Sequence, residues 1–427
     1  MNRLQRHISN SLYKNTYVIF AFRAFLSLAG FLFWAVAARI SPAGEVGIAS
    51  GIVAAAIFLS TLAQLGIGFG LVRYLPSSEN PQGLLNKSLL IVSTAIFLLT
   101  SIFLAGINIW SPALSITRDG FQNIFLFFLL VTVLGLNLVL ELTYLAKKRP
   151  VYSLYRQMIV TPLSFVLLYL GMGYDNGYRL IVFSYMFASL VGFTVSIGFF
   201  LRKVIPGYGF GFNWDIPMPQ GFWKYSIANH VTEQFQRAPI DLMPLIVINF
   251  IGPESAAYFF VAWMIASSLN TLAASVAAGL LAEGVNDPSN AVSYFKQARK
   301  LGTVFSVLLS IAAAVLGRQI LGVYGTDYIE NGLPSVIILL IANIPGILFP
   351  VYVNFLRTKD QLKSLIGLSG SHLVLGIGLG AGMVIYFGLI GAAVSWLISR
   401  VVVWGVVQFH LYSNFKRNGK IKNSLPG

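Results

Sequence analysis

The chain has 427 residues, of which 56% are hydrophobic and only 10% charged, with a formal charge of +15 and no cysteine. A water-soluble domain carries about 25% charged residues, so this few cannot cover a water-facing surface of such size. The lack of cysteine excludes disulfides, thiol catalysis and cysteine metal sites.

Apolar runs of about 20 residues, the length an α-helix needs to cross a bilayer, predict about twelve spans. They lie at 16–38, 46–72, 86–108, 122–146, 151–172, 180–201, 222–250, 255–281, 302–323, 333–356, 364–387 and 389–413. The ten-residue alternation of an outer-membrane barrel is absent, which leaves an all-α integral membrane protein. The first run is too long for the apolar core of a signal peptide and carries Arg23, so no cleavable signal is expected.

With the N-terminus inside, the basic residues fall on alternate connections. Arg3, Arg6 and Lys14, then Arg73 and Lys87, then Lys147, Lys148, Arg149 and Arg156 lie on the inner side. The same side takes Arg202, Lys203 and Lys224, then Lys296, Arg299 and Lys300, then Arg357, Lys359 and Lys363, and the tail lysines and arginine at 416–422. The outer side holds only Arg39, Arg118, Arg179 and Arg318. This is the positive-inside pattern. It predicts a multi-pass protein of the cell (inner or plasma) membrane with both termini cytoplasmic. The basic excess is topology, and no nucleic-acid partner is expected.

The chain reads as duplicated. Ser41-Pro42-Ala43-Gly44-Glu45 joins the first two spans, Gly252-Pro253-Glu254-Ser255 joins the seventh and eighth, and small residues follow each turn. Six spans per half give the halves the same orientation, hence two six-helix bundles related by a pseudo-twofold axis along the membrane normal. The expected division is a first bundle at 1–203, a cytoplasmic linker at 204–221 and a second bundle at 222–427.

Charges within spans are costly and therefore candidates for function. On the seventh span His230, Glu233, Arg237 and Asp241 recur at helical spacing and share one face. Arg237 lies about 20 Å beyond the inner-edge Lys224. This face lines either a wet cavity or a polar seam in which Glu233 and Asp241 pair with Arg237 at i,i+4. Pro239 and Pro244 predict a kink beside it. Arg23 occupies the corresponding place in the first span, and Arg400 lies deep in the last. Glu141 reads as an interfacial or paired carboxylate, or as an ion-coupling group together with Asp241 and Glu233. Gln64, Asn137, Asn270, Asn343 and His372 are mid-span polar residues of the kind that tie helices together. Converging guanidiniums suit an anionic ligand, since Arg matches phosphate bidentately.

Other chemistries are not written in the sequence. There is no phosphate-binding Walker motif and no His-Glu-x-x-His, so neither ATP hydrolysis nor a metal site is expected. The connections are too short for a separate catalytic domain, so the chain is not expected to be an enzyme. No cofactor is expected beyond a coupling H+ or Na+.

Phe33-Trp34-Ala35-Val36-Ala37-Ala38-Arg39-Ile40-Ser41-Pro42-Ala43-Gly44-Glu45-Val46-Gly47, then Leu62-Ala63-Gln64-Leu65-Gly66-Ile67-Gly68 and Val72-Arg73-Tyr74-Leu75, resemble the polysaccharide-transport flippases. These belong to the superfamily of multidrug, oligosaccharidyl-lipid and polysaccharide exporters. Pro239-Ile240-Asp241 with Phe250-Ile251-Gly252, Leu316-Gly317-Arg318 with Tyr324-Gly325, and the run Gly388 to Ala393 agree with the family's second half. The resemblance spans most of the chain through loose, hydrophobic motifs.

It implies a multidrug-exporter-like fold with a central cavity. It also implies movement of sugars linked to a polyprenyl diphosphate, for surface polysaccharide such as lipopolysaccharide. Arg23, Arg237, His230, Glu233, Asp241, Arg400 and Gln64 become the substrate-binding candidates, and a polysaccharide polymerase or glycosyltransferases the candidate partners. The chain departs from the family in having twelve spans where some members have fourteen, and in the mixed charge of its seventh helix. Two alternatives remain: a proton- or sodium-coupled multidrug exporter governed by Asp241 and Glu141, and a membrane polymerase or ligase, against which the short outer segments argue.

Overall fold

Long apolar runs punctuated by proline, glycine and basic turns fold as helices in the computed structural model, and no strand occurs among the described residues. These are 11–174, 177–211, 216–286, 291–359 and 361–422, with side chains described for 24–174, 177–211, 216–275, 292–357, 359, 361 and 363–411. In chain order the helices are α1 (Ser11–Ile40), α2 (Ala43–Leu62), α3 (Ile67–Tyr74), α4 (Pro81–Ala105), α5 (Phe121–Ala146), α6 (Val151–Gly171) and α7 (Tyr178–Val195). There follow α8 (Phe222–Ile251), α9 (Pro253–Asn286), α10 (Ala291–Val315), α11 (Thr326–Gly346), α12 (Leu348–Thr358) and α13 (Leu362–Lys422). Among the described residues nine helices are long and apolar enough to cross a membrane, so the chain is a multi-pass membrane protein. The 30-residue α8 is long enough, but its polar face keeps it outside that set.

Two expected spans differ in form. The span at 46–72 is two helices, because Leu65 and Gly66 take positive φ of 47° and 77° and interrupt the hydrogen-bond ladder. The span at 333–356 starts earlier, at Thr326, and changes helix after Gly346, one residue past Pro345. The last two expected spans are the two arms of α13, which meet at Gly388; the backbone there is non-helical, with a φ of 59° that only glycine adopts without strain. Pro42 and Pro253 stand at the starts of α2 and α9, where a missing N–H costs no helical bond.

Packing divides the chain inside α9, between Phe260 and Val261. The repeat read in the sequence predicts the halves 1–203 and 222–427, whereas packing places α8 in the first unit. The reason is a row of glycines on α2 and α3. A Cβ at Gly47 would collide with the Pro253 carbonyl, one at Gly66 with the Ser226 carbonyl, and one at Gly70 with Phe222. Backbones therefore approach as closely as small residues permit, which is how membrane helices bind without a hydrophobic driving force. Arg73 caps the contact at one end, stacking 4.5 Å from the Tyr225 ring centre. At the other end Asn249 bonds Ser111 at 3.0 Å.

The linker also belongs to this unit, residues 212–215 of it lying outside the described set. Gln82 and Asn86 of α4 both donate to the Gly209 carbonyl at 2.9 Å, and the Tyr208 hydroxyl donates to Asn86 at 2.8 Å. Burial pushes the Tyr208 phenol up to about 12. In the second unit Phe295, Ile347, Leu348, Tyr352, Val403 and Val407 form the core that α10, α12 and α13 share.

Candidate functional site

At the break after α2 the Thr61 and Leu62 carbonyls accept only tightened turn bonds, from Gln64 N at 3.2 Å and Leu65 N at 3.5 Å, and each can take a further donor. Two side chains one turn apart on α8 meet them: Gln234 Nε2 donates to the Thr61 carbonyl at 3.0 Å, and His230 Nε2 lies 3.1 Å from that of Leu62. A carbonyl only accepts, so His230 carries its proton on Nε2. His230 is buried and spends this donor on the neighbouring helix. Gln64, inside the break, is buried and donates to the Gly135 carbonyl of α5 at 2.8 Å.

Further along the same face, Arg237 Nε lies 3.6 Å from Asp241 Oδ2. This is an ion pair too long for a hydrogen bond, and Asp241 Oδ2 accepts none. The partners differ in access: the Arg237 side chain is 42% exposed and that of Asp241 10%. Pro239 and Pro244 sit within the helix and each removes a backbone donor beside the pair. Arg237 is about 20 Å along α8 from its first residue. An accessible guanidinium at that depth must face water or a polar ligand, because hydrocarbon will not accept it. Glu233 lies half-buried on the same face.

A second charged pair joins α5 to α6. Arg156 Nη2 is 3.6 Å from Glu141 Oε2, and Arg156 Nη1 donates to the Asn137 carbonyl at 2.9 Å. Asn137 in turn donates to the Ser189 carbonyl of α7 at 3.1 Å. Arg156, expected near the inner surface, is buried among the helices of its unit. A carboxylate inside a span calls for a cation, and Arg156 is the first after the Lys147–Arg149 turn, so the signal was present in the sequence.

In the second unit Arg400 is 5% exposed. Its guanidinium carbon lies 4.3 Å from the centre of Trp396 and 5.9 Å from that of Phe349. Among the described residues no carboxylate of its unit pairs with it. Stacking on aromatic rings is worth up to about 2 kcal/mol when desolvated, less than the several kcal/mol that burying a lone charge costs. Arg23 lies on α1, its side chain outside the described residues. Between them these residues form no metal cluster among the described residues. A cavity of about 480 Å³ in the first unit, bordered by Leu89, Leu136, Phe193 and Phe210, is apolar and includes none of the charged candidates.

The sequence matches no protein-family model and no curated relative. The helical arrangement does match solved structures. The lipid II flippase MurJ in an inward closed conformation aligns at TM-score 0.70 and 14% identity, over 92% of this chain and 87% of that one. An inward-facing multidrug resistance MATE transporter of the MOP superfamily aligns at 0.67 and 12%, over 96% and 100%. The chain shares the fold of these transporters. A MOP-superfamily transporter from Pyrococcus furiosus, described as having a binding pocket of reverse polarity, aligns at 0.60 and 12%, over 93% and 95%. At such identities the likeness carries the fold, and MOP-fold chains with different cargo match about equally well.

Proposed function

We propose that this chain is a flippase carrying polyprenyl-(di)phosphate-linked oligosaccharide from the inner to the outer leaflet by alternating access, in surface polysaccharide assembly. The observation that supports it most is Arg237, half exposed at mid-helix in a MOP fold. A phosphate oxygen pair competes with Asp241 for this guanidinium, since both offer bidentate acceptors. Arg23, on the first helix, supplies a second cation, with Glu233 and Gln64 at the border of the site. Asp241, once displaced, takes up H+ or Na+ and couples transport to a gradient, with Glu141 a further coupling candidate. The substrate leaves chemically unchanged. The protein lies in the cell membrane with its termini cytoplasmic, beside the polymerase or glycosyltransferases that use or supply its cargo.

A multidrug exporter of the same fold is the second reading, favoured by one feature: the Asp241 carboxylate is nearly buried and held by a single long ion pair. The two readings separate by charge. Purified protein in sealed vesicles carrying a polyprenyl-diphosphate sugar should expose the sugar to an impermeant glycosidase, and R237A should slow this by at least about tenfold, the loss of roughly one charge-assisted contact. Sugar exposure no faster than in protein-free vesicles, with cationic dye efflux abolished by D241N and retained by R237A, would replace the flippase with the exporter.

A further inference from the structure

We propose that the second unit holds a binding site for a small inorganic anion of the chloride class, formed by Arg400 and His372. The two residues come from opposite sides of the Gly388 bend in α13 and meet the same pair of rings. His372 lies 4.6 Å from Phe349 and 5.5 Å from Trp396, ring centre to ring centre. The Arg400 guanidinium stacks over Trp396 and borders Phe349. His372 is fully buried, and neither ring nitrogen has a hydrogen-bond partner. Ser369, one turn before His372, and Ser399, next to Arg400, are also buried with unpartnered hydroxyls.

Arg400 thus brings a buried positive charge that no carboxylate of its unit answers among the described residues, and His372 beside the same rings has polar atoms without partners. Water satisfies hydrogen bonds but leaves the charge uncompensated. An anion satisfies both, and a buried cation calls for one. The anion must be small. Arg400 is 5% exposed, and Gly346 packs so close that an added Cβ would come within 3.2 Å of its Cδ. A sugar diphosphate is too large for a guanidinium covered to this extent, so the ligand proposed here is a different one from that proposed for α8. The proposal is independent of the flippase reading, because it concerns binding within the second unit whatever the cargo.

The test uses the full chain in detergent and reads binding, not transport. Crystals of the wild-type protein grown with bromide in place of chloride should show an anomalous peak within hydrogen-bonding reach of both Arg400 and His372. Replacing gluconate by chloride at constant ionic strength should raise the melting temperature by at least about 2 °C. In H372F, which keeps the ring packing and removes both nitrogens, the chloride response should fall by at least half. No bromide peak at Arg400, or a chloride response undiminished in H372F, overturns the proposal. The crystallographic arm needs no variant, so an H372F protein that fails to fold leaves it decisive.

Discussion

Arg156 and Arg400 are equally hidden, each 5% exposed, one in each packing unit. Arg156 faces a carboxylate and a carbonyl, while Arg400 faces two aromatic rings. Depth alone therefore says little about what a buried cation does. Arg156 is a completed structural element that ties α5 to α6, whereas among the described residues Arg400 has its charge answered by ring faces. Arg237 is a third kind, paired yet accessible, and of the three it is the one placed to exchange partners.

The comparison breaks most sharply at Glu141. E141Q leaves the Arg156 charge buried without its partner and should destabilise the protein by about 3–5 kcal/mol in thermal unfolding. R156Q should cost less, because the Glu141 side chain is 37% exposed and water can solvate it. A double E141L/R156L substitution should recover most of the loss, and equal costs for the two single changes would show that the pair is not asymmetric. Next in size is G66A. A side chain there meets the Ser226 carbonyl and must hold a positive φ, so at least about 2 kcal/mol should be lost. Smallest is H230F, which removes one hydrogen bond to Leu62. It should cost about 1 kcal/mol and slow sugar flipping far less than R237A. A loss of flipping as large as that of R237A would move His230 from helix tie to substrate contact.

The helices were legible because apolar runs and basic turns obey the membrane's own rules. Pro42 and Pro253 marked two helix starts correctly, and the face of His230, Glu233, Arg237 and Asp241 was visible from spacing alone. The break at Leu65–Gly66 was not, because apolar residues flank it on both sides and glycine is common in membrane helices. Its purpose appears only when Ser226 is seen against Gly66. Likewise His230 looked like its neighbours on the polar face, and only the carbonyl of Leu62, far away in sequence, sets it apart. Partners distant in the chain leave no periodic trace, so sequence located the charges and structure assigned their company.

The polar face of α8 has a consequence for how the protein is made. A helix too polar to count as an independent span is poorly suited to leave the insertion machinery alone, since each mid-membrane charge costs about 2.5–3.5 kcal/mol. Its packing partners, α2 and α3, emerge from the ribosome well before it. The surface that α8 packs on, the glycine track of α2 and α3 with the Thr61 and Leu62 carbonyls, is therefore made before α8 itself. Synthesised without the preceding helices, the segment Phe222–Ile251 should fail to insert, and the topology of everything after it should invert.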